Sequence, residues 1–473
     1  MKKLRTKFFL LITSVFLISL LTGSEALSKE YLDGKLDVSG YLENFTSYRV
    51  TTNRRGHITN CRNTFYLEAG YKLLQNPNFS VELYTIVRNF YESAFDIDSH
   101  YNNASNRKDH NRIRTENGND RLRELYADIS SGPFQLRIGK QVATWGEADG
   151  FRMADIINPL DLTWHWTFEA WEDITIPIWM IRGWYKTPLP YDLSVEFIVI
   201  PTDFEPTRYA PEGTAWGPFP RQFWLNVKSS RPGNSSDNLE FGVRLRAEIN
   251  GWDVTLYNFY TRNDDPIFTD NAAKLLKGIL VGGEDYFDYK RYNVVGGTFN
   301  VYFDKIKSVI RGECGYNIDQ KFNVSSTGGP PFGIRGQDVF SYMIGFDRPT
   351  MIPYLSRWNY YRSYFISMQM FQKYFIHPSR GLIRSPDMGK DDSQTIFTLI
   401  VETGFFHDAI VPNMLVAYNT SGWGFFLPSI KYKYGHHWRF ILGADIVWGN
   451  SRNEGTGMFK DNDAVTFKVR YEF

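Results

Sequence analysis

From Leu239 to Ile249 the chain alternates apolar and polar residues without a fault, Asn250-Gly251 follows, and Trp252 to Leu256 resumes the alternation. This pattern predicts two half-buried antiparallel strands joined by a two-residue turn. The same plan recurs: Phe65 to Tyr71, Asn76-Pro77-Asn78, then Phe79 to Tyr91; and Leu125 to Ile129, Ser131-Gly132-Pro133, then Phe134 to Gln141. Further tight turns fall at Pro188-Leu189-Pro190, Asp304-Lys305, 349 to 357, His407-Asp408 and Gly435-His436-His437. Long polar connections separate these pairs, at 50 to 61, 92 to 120, 144 to 173, 202 to 237, 262 to 288, 318 to 336, 374 to 393 and 450 to 462. The last segment puts Val465, Phe467, Val469, Tyr471 and Phe473 on one side and Thr466, Lys468, Arg470 and Glu472 on the other.

With a first strand around Leu36 to Tyr48, the count is 18 strands, or 16 if the poorly alternating segments at 364 to 373 and 410 to 419 do not cross. The strands run to about ten residues, longer than the roughly five or six of a sandwich strand and suited to a tilted membrane crossing. The expectation is an all-β chain forming a transmembrane antiparallel β-barrel of 16 to 18 strands, with short periplasmic turns and long extracellular loops. A closed wall of that size encloses an aqueous lumen unless something fills it.

Lys2, Lys3, Arg5 and Lys7 precede an apolar run from Phe8 to Leu21, and Ser24-Glu25-Ala26 offers a small-x-small cleavage site. This predicts a secretory signal peptide over 1–26 and a single barrel domain over 27–473, since the apolar run falls short of the about 20 residues of a spanning helix. Aromatic residues make up 17% of the chain. On a barrel that surplus fills the lipid face and the two headgroup levels. The formal charge of +1 becomes −2 once the leader's four basic residues and Glu25 are removed. Near neutrality argues against a nucleic-acid partner. Cys61 and Cys314 lie far apart on the strand map and read as unpaired.

The terminal strand, closing on Phe473, resembles the last strand of bacterial outer-membrane barrels, which implies a cell outer membrane location and insertion by the barrel-assembly machinery. A second resemblance rests on the third long loop: Gly139-Lys-Gln141, Trp145-Gly-Glu-Ala-Asp-Gly150, Arg152, Asp155 and Asn158-Pro-Leu-Asp161, with Trp164-His-Trp166 following. This run is similar to the signature of the uncharacterised proteobacterial outer-membrane proteins grouped as domain of unknown function 1302. Weaker matches continue through Arg311-Gly-Glu313 and Gly345 to Pro349. The resemblance implies a location and a porin-like fold, and, because such proteins are discussed beside exporters of the resistance-nodulation-division type, a possible role in traffic of lipids or other apolar molecules.

In that loop Trp145, Phe151, Met153, Ile156, Ile157, Leu160 and Leu162 are interspersed with charges, more apolar surface than a loop in water needs. We therefore expect residues 144 to 166 to fold into the lumen and narrow it, with a short helix from Phe151 to Leu160 stopped at Asn158-Pro159. The constriction candidates are Glu147, Asp149, Arg152, Asp155 and Asp161 on the loop. Arg88, Arg137, Arg244, Arg246, Arg311 and Glu313 are the candidates on the wall, together with Glu82 and Glu248 by parity. Opposed charges across a narrow passage sort solutes by charge and dipole; the same charges could equally neutralise one another. Lys140 shares parity with Ile138, so unless Gly139 forms a bulge it points to the lipid side.

No Gly-x-Ser-x-Gly elbow and no His-x-x-x-His, Cys-x-x-Cys or complete calcium loop occurs, and neither His165 between two tryptophans nor His436-His437 in an expected turn reads as a base with its orienting carboxylate, so neither catalysis, cofactor nor metal is expected. The functional expectation is a passive outer-membrane channel for small solutes, monomeric or a homotrimer, its loops meeting lipopolysaccharide. The alternative is an adaptor that moves hydrophobic compounds with a periplasmic partner or exporter.

Overall fold

A computed structural model describes residues 29–51, 57–102, 121–210, 214–217, 232–233, 235–280, 286–327, 332–357, 362–384, 391–451 and 454–473. The leader expected at 1–26 lies outside them. Eighteen strands make the wall, and a short segment, Lys29–Tyr31, adds to the edge of the first. In chain order they are β1 Leu36–Arg49, β2 Ile58–Asn76, β3 Phe79–Glu92, β4 Leu122–Ser131, β5 Phe134–Gln141, β6 Ile178–Lys186, β7 Ser194–Ile200, β8 Glu240–Ile249 and β9 Trp252–Arg262. The second half comprises β10 Arg291–Phe303, β11 Ser308–Val324, β12 Gly333–Thr350, β13 Tyr364–Ile376, β14 Ser393–Glu402, β15 Ile410–Asn419, β16 Gly424–Tyr434, β17 Trp438–Trp448 and β18 Ala464–Glu472. Each pairs antiparallel with its chain neighbour, and β18 pairs with β1 in the register Tyr41↔Glu472 to Arg49↔Ala464, so the sheet closes on itself. Closure removes both edges and leaves no unpaired ladder. The seam extends to the last residue, where Phe473 N–H donates to Gly40 O at 2.9 Å and Gly40 N–H to Phe473 O at 3.0 Å.

The expected hairpin is present. Asn250 and Gly251 both take positive φ, 52° and 81°, as a two-residue primed turn demands, and Ile249 pairs with Trp252. Parity holds across it: Phe241, Val243 and Leu245 are exposed on the outside while Gly242 is buried within. The same outward set continues around the wall through Leu125, Ile138, Phe197, Leu256, Ile344, Phe397 and Phe467. Apolar surface of this extent stays out of water only in hydrocarbon.

Two connections differ from expectation. β11 runs to Val324 and β12 starts at Gly333, so the loop expected at 318 to 336 is mostly ladder, with a register shift between Asn317 and Gln320 that absorbs the irregular sequence around Asp319. Strands β15 and β16 are joined by only residues 420 to 423. The two poorly alternating segments are both strands, β13 and β15, so the higher strand count holds. Cys61 and Cys314 are not bonded to each other.

Candidate functional site

The connection between β5 and β6, residues 142 to 177, lies against inward-facing side chains all around the wall. Its two ends are stapled by one side chain. Asn158 Oδ1 accepts from Ala143 N–H at 2.8 Å, and Asn158 Nδ2 donates to the carbonyls of Gln141 at 3.2 Å and Ile176 at 2.9 Å. Asp155 Oδ1 then gathers the N–H groups of Trp145 (2.6 Å) and Gly146 (2.8 Å), folding the signature segment into a tight bend. Arg152 donates from Nε to Asp155 O at 2.6 Å and from Nη2 to Asn158 O at 2.8 Å, and pairs with Asp264 at 3.3 Å. The short helix expected over Phe151 to Leu160 is therefore absent: side chains take the backbone groups that a helix would have paired. A single helical turn, Trp171–Ile174, occurs later in the segment.

Opposite the staple, the segment is held by the far wall. Glu313 on β11 accepts from Glu147 N–H at 2.7 Å and from Ala154 N–H at 3.3 Å. Asp149 and Gln369 on β13 exchange two hydrogen bonds, at 3.0 and 2.8 Å. Arg311 pairs with Asp149, donates to Glu147 O and holds Asp347 at 2.8 Å. Burial raises the carboxyls of both Glu147 and Asp155 above their ordinary range.

Apolar contacts seal two sides. Ala143, Trp145, Ala154 and Ile157 join Ile178, Met180, Ile198, Ile200, Tyr257, Phe259, Tyr292 and Val294 on β6, β7, β9 and β10. Gly242 makes room for this: a Cβ there would meet the Trp145 ring at 2.9 Å. The Trp145 indole donates to Glu196 at 3.1 Å, and Glu196 also holds Arg182 at 2.8 Å and Arg244 at 2.7 Å. On the other side Ala148, Phe151, Met153 and Phe168 pack on Met343, Phe371, Ile396, Phe425 and Val447 of β12 to β17.

Toward β1 to β4 the contacts are mixed: Trp164 clusters with Ile58, Cys61 and Phe90, among several ion pairs and hydrogen bonds. Arg62 pairs with Glu169 at 2.6 Å, Arg88 with Asp173 at 3.2 Å, and Arg123 donates to Thr175 O at 2.8 Å. Burial alone would push the Glu169 carboxyl up, but the Arg62 guanidinium against it outweighs this and holds it at about 2. His165, for which the sequence pattern offers no orienting carboxylate, meets Asp445 on β17 at 2.7 Å, a partner 280 positions away that only closure of the wall supplies.

Of the expected residues, the fold brings together Glu147, Asp149, Asp155, Arg311 and Glu313, with Arg152 beside them. Arg88 meets the segment further on, Arg244 lies over Trp145 with its guanidinium 5.6 Å from the ring centre, and Asp161 sits 3.9 Å from Arg208. Arg137 and Arg246 pair instead with wall acids, Asp128 at 2.6 Å and Asp253. Glu82 and Glu248 are exposed. Lys140 stays on the outward side, in register with exposed Leu125 and Trp179, its Nζ donating to Leu122 O at 3.0 Å. Sequence reasoning missed Arg62, Glu169, Glu196 and Gln369, and read Asp264 only as one of two adjacent solvated loop acids where the structure pairs it with Arg152; inward parity on β7 and β13 was the available signal for Glu196 and Gln369.

A closed antiparallel wall of eighteen strands with an apolar outside defines a porin-like β-barrel. The chain belongs to the family described as Protein of unknown function (DUF1302), which matches residues 52–473. No curated protein matches the sequence. Among solved structures the chain is similar to Acinetobacter baumannii OccAB3, at 9% identity and a TM-score of 0.49 over 93% of this chain and 99% of that one. It is also similar to Pseudomonas aeruginosa OccK5 (OpdH), at 8% and 0.48 over 93% and 97%. Salmonella typhi OmpF, solved as a complex with daunomycin, gives 7% and 0.46 over 93% and 97%.

Proposed function

We propose that the protein is an outer-membrane channel for passive passage of small solutes, and that residues 142 to 177 form its constriction. The observation that carries this reading is the asymmetry of the crossing segment's contacts. Its apolar flanks close against β6 to β10 and β12 to β17. The remaining sector, apart from the packing of Trp164 on Phe90, is richer in charged and hydroxyl groups. There Tyr41 and Tyr66 stack at 4.6 Å with Arg470 4.0 Å from the Tyr41 ring centre, and Tyr84 and Tyr126 stack at 4.9 Å with Arg137 at 4.1 Å. A hydrated path belongs on that side, past Asp161 to Ile174. The signal peptide read at 1–26 and the terminal strand ending at Phe473 support an outer-membrane address.

The packing of Phe151 and Met153 on Phe371 and Phe425 favours a second reading, in which an apolar molecule replaces those contacts and is passed to or from a periplasmic partner. Planar-bilayer recording separates the two. The channel reading expects steady current, larger and altered in ion preference when residues 147–157 are deleted; an inserted, folded barrel that passes no current refutes it.

A further inference from the structure

Three adjacent strands line one part of the lumen with like charge. On β16 Ile430, Tyr432 and Tyr434 are exposed on the outside, so Lys431 and Lys433 face inward. Ladder pairing sets Lys433 opposite Arg439 on β17, Arg439 opposite Arg470 on β18, and Arg470 opposite Glu43 on β1. The next inward row is Lys431, Ile441 and Lys468, ending on Phe45. Side chains directly opposite one another stand about 5 Å apart, and like charges so placed destabilise a sheet. Five basic groups here meet two carboxylates: Glu43 takes Arg470 at 2.7 Å and Lys468 at 3.5 Å, and Glu472 takes Arg439 at 2.9 Å. Neither lysine of β16 has a side-chain hydrogen bond or ion pair among the described residues. Asp408, the acid that acts on Lys433 from the neighbouring turn, is itself held by Arg362.

The rows border the sector assigned to the hydrated path, because Arg470 lies over the Tyr41 ring at 4.0 Å and Lys468 over Phe45 at 5.5 Å. Rings and carboxylates hold those two side chains. Lys431 and Lys433 keep hydrated ammonium groups on flexible stems, able to follow a passing ion. Beyond Glu43, strands β1 to β4 carry Asp37, Glu68, Glu82, Glu124 and Asp128 against Lys72, Arg123 and Arg137. The positive excess is therefore confined to β16 to β18, where low-dielectric walls focus its field on the solute. We infer that these two rows, beside the tight turn at Gly435, form an anion-selecting surface over which small anionic solutes pass, with Lys431 and Lys433 setting the preference. The inference deepens the channel reading by naming a solute class, and rests on it for the passage itself.

The test is planar-bilayer recording of the whole purified barrel across a shallow potassium chloride gradient around 0.1 M, read as the zero-current voltage. The unaltered protein should pass chloride in preference to potassium. A unit charge about 8 Å from a passing ion in water, screened at about 0.1 M salt, favours chloride roughly two-fold. Lys431→Gln combined with Lys433→Gln should therefore lower the chloride to potassium permeability ratio about four-fold, whereas arginine at both positions should leave it within about two-fold. Should the glutamine variant fail to assemble, repeating the measurement on the unaltered protein at about 1 M salt takes its place: the screening length shrinks from about 10 to about 3 Å, and the ratio should fall toward unity. A ratio at or below unity in the unaltered protein, one unmoved in the assembled glutamine variant, or one indifferent to salt overturns the inference and leaves the channel standing. A folded barrel that inserts and passes no current overturns both.

Discussion

Gly146 sits where one methyl group should loosen the crossing segment. An ideal Cβ on it lies 2.9 Å from Asp155 Oδ2 and 2.9 Å from Glu313 Oε2, well inside van der Waals contact. Neither carboxylate is free to withdraw: Asp155 holds the N–H groups of Trp145 and Gly146, and Glu313 holds those of Glu147 and Ala154. In Gly146→Ala one carboxylate must shift and release at least one charge-assisted hydrogen bond, worth about 1.5 to 3 kcal/mol. Allowing for partial relaxation, the net loss is about 2 kcal/mol, which multiplies the local opening equilibrium roughly thirty-fold. Hydrogen exchange of the 142–158 peptide in the assembled barrel measures this directly, with heat-modifiable electrophoresis as the control for wall integrity. Exchange within two-fold of the unaltered protein, in a barrel that still closes, would refute the placement of Gly146 between the two acids.

At the seam, a Cβ on Gly40 would lie 2.4 Å from Tyr66 O and 2.8 Å from the Phe473 ring, so Gly40→Ala should lower the yield of closed barrel on semi-native gels; full yield would contradict the register of β1 with β18. Trp145→Phe removes the 3.1 Å indole bond to Glu196 while leaving its two arginines in place, and should cost about 1 kcal/mol of thermal or denaturant stability. Burial pushes the Asp264 carboxyl up to about 8, far above its value of about 3.9 in an unfolded chain. Its contribution is thus present below about pH 4 and declines as pH rises through about 8, because only the folded state keeps the proton in that window. Exchange protection around Asn263 to Phe268, normalised for intrinsic rates, should fall over this range in the unaltered protein and stay level in Asp264→Asn; parallel profiles would sink the assignment.

The wall was legible because a barrel strand has one apolar face, and period two reports that face without knowledge of any partner. The Asn250-Gly251 hairpin needs nothing beyond its own residues. The β11 to β12 connection failed because a register shift and the positive φ of Asp319 make ladder residues resemble loop residues. Within the crossing segment, the apolar and acidic mixture pointed inward, but the pairing of Asp149 with Gln369 or Arg152 with Asp264 depends on which strands closure brings opposite, and local pattern holds no trace of that. The unformed helix at 151 to 160 shows the same limit: its apolar spacing was suitable, yet Asp155, Arg152 and Asn158 spend their side chains on nearby backbone.

The anchors of the crossing segment also set a timetable. Asp149 meets Gln369 across 220 positions of chain, and His165 meets Asp445 across 280. Until the last third of the polypeptide is in place, Phe151, Met153 and Phe168 have no wall to settle on, and the nascent sheet carries sticky rings in water. Such distant contacts make for slow maturation and an aggregation-exposed intermediate. Holdase protection of the unfolded chain should therefore matter more here than for a barrel of equal girth with an empty middle.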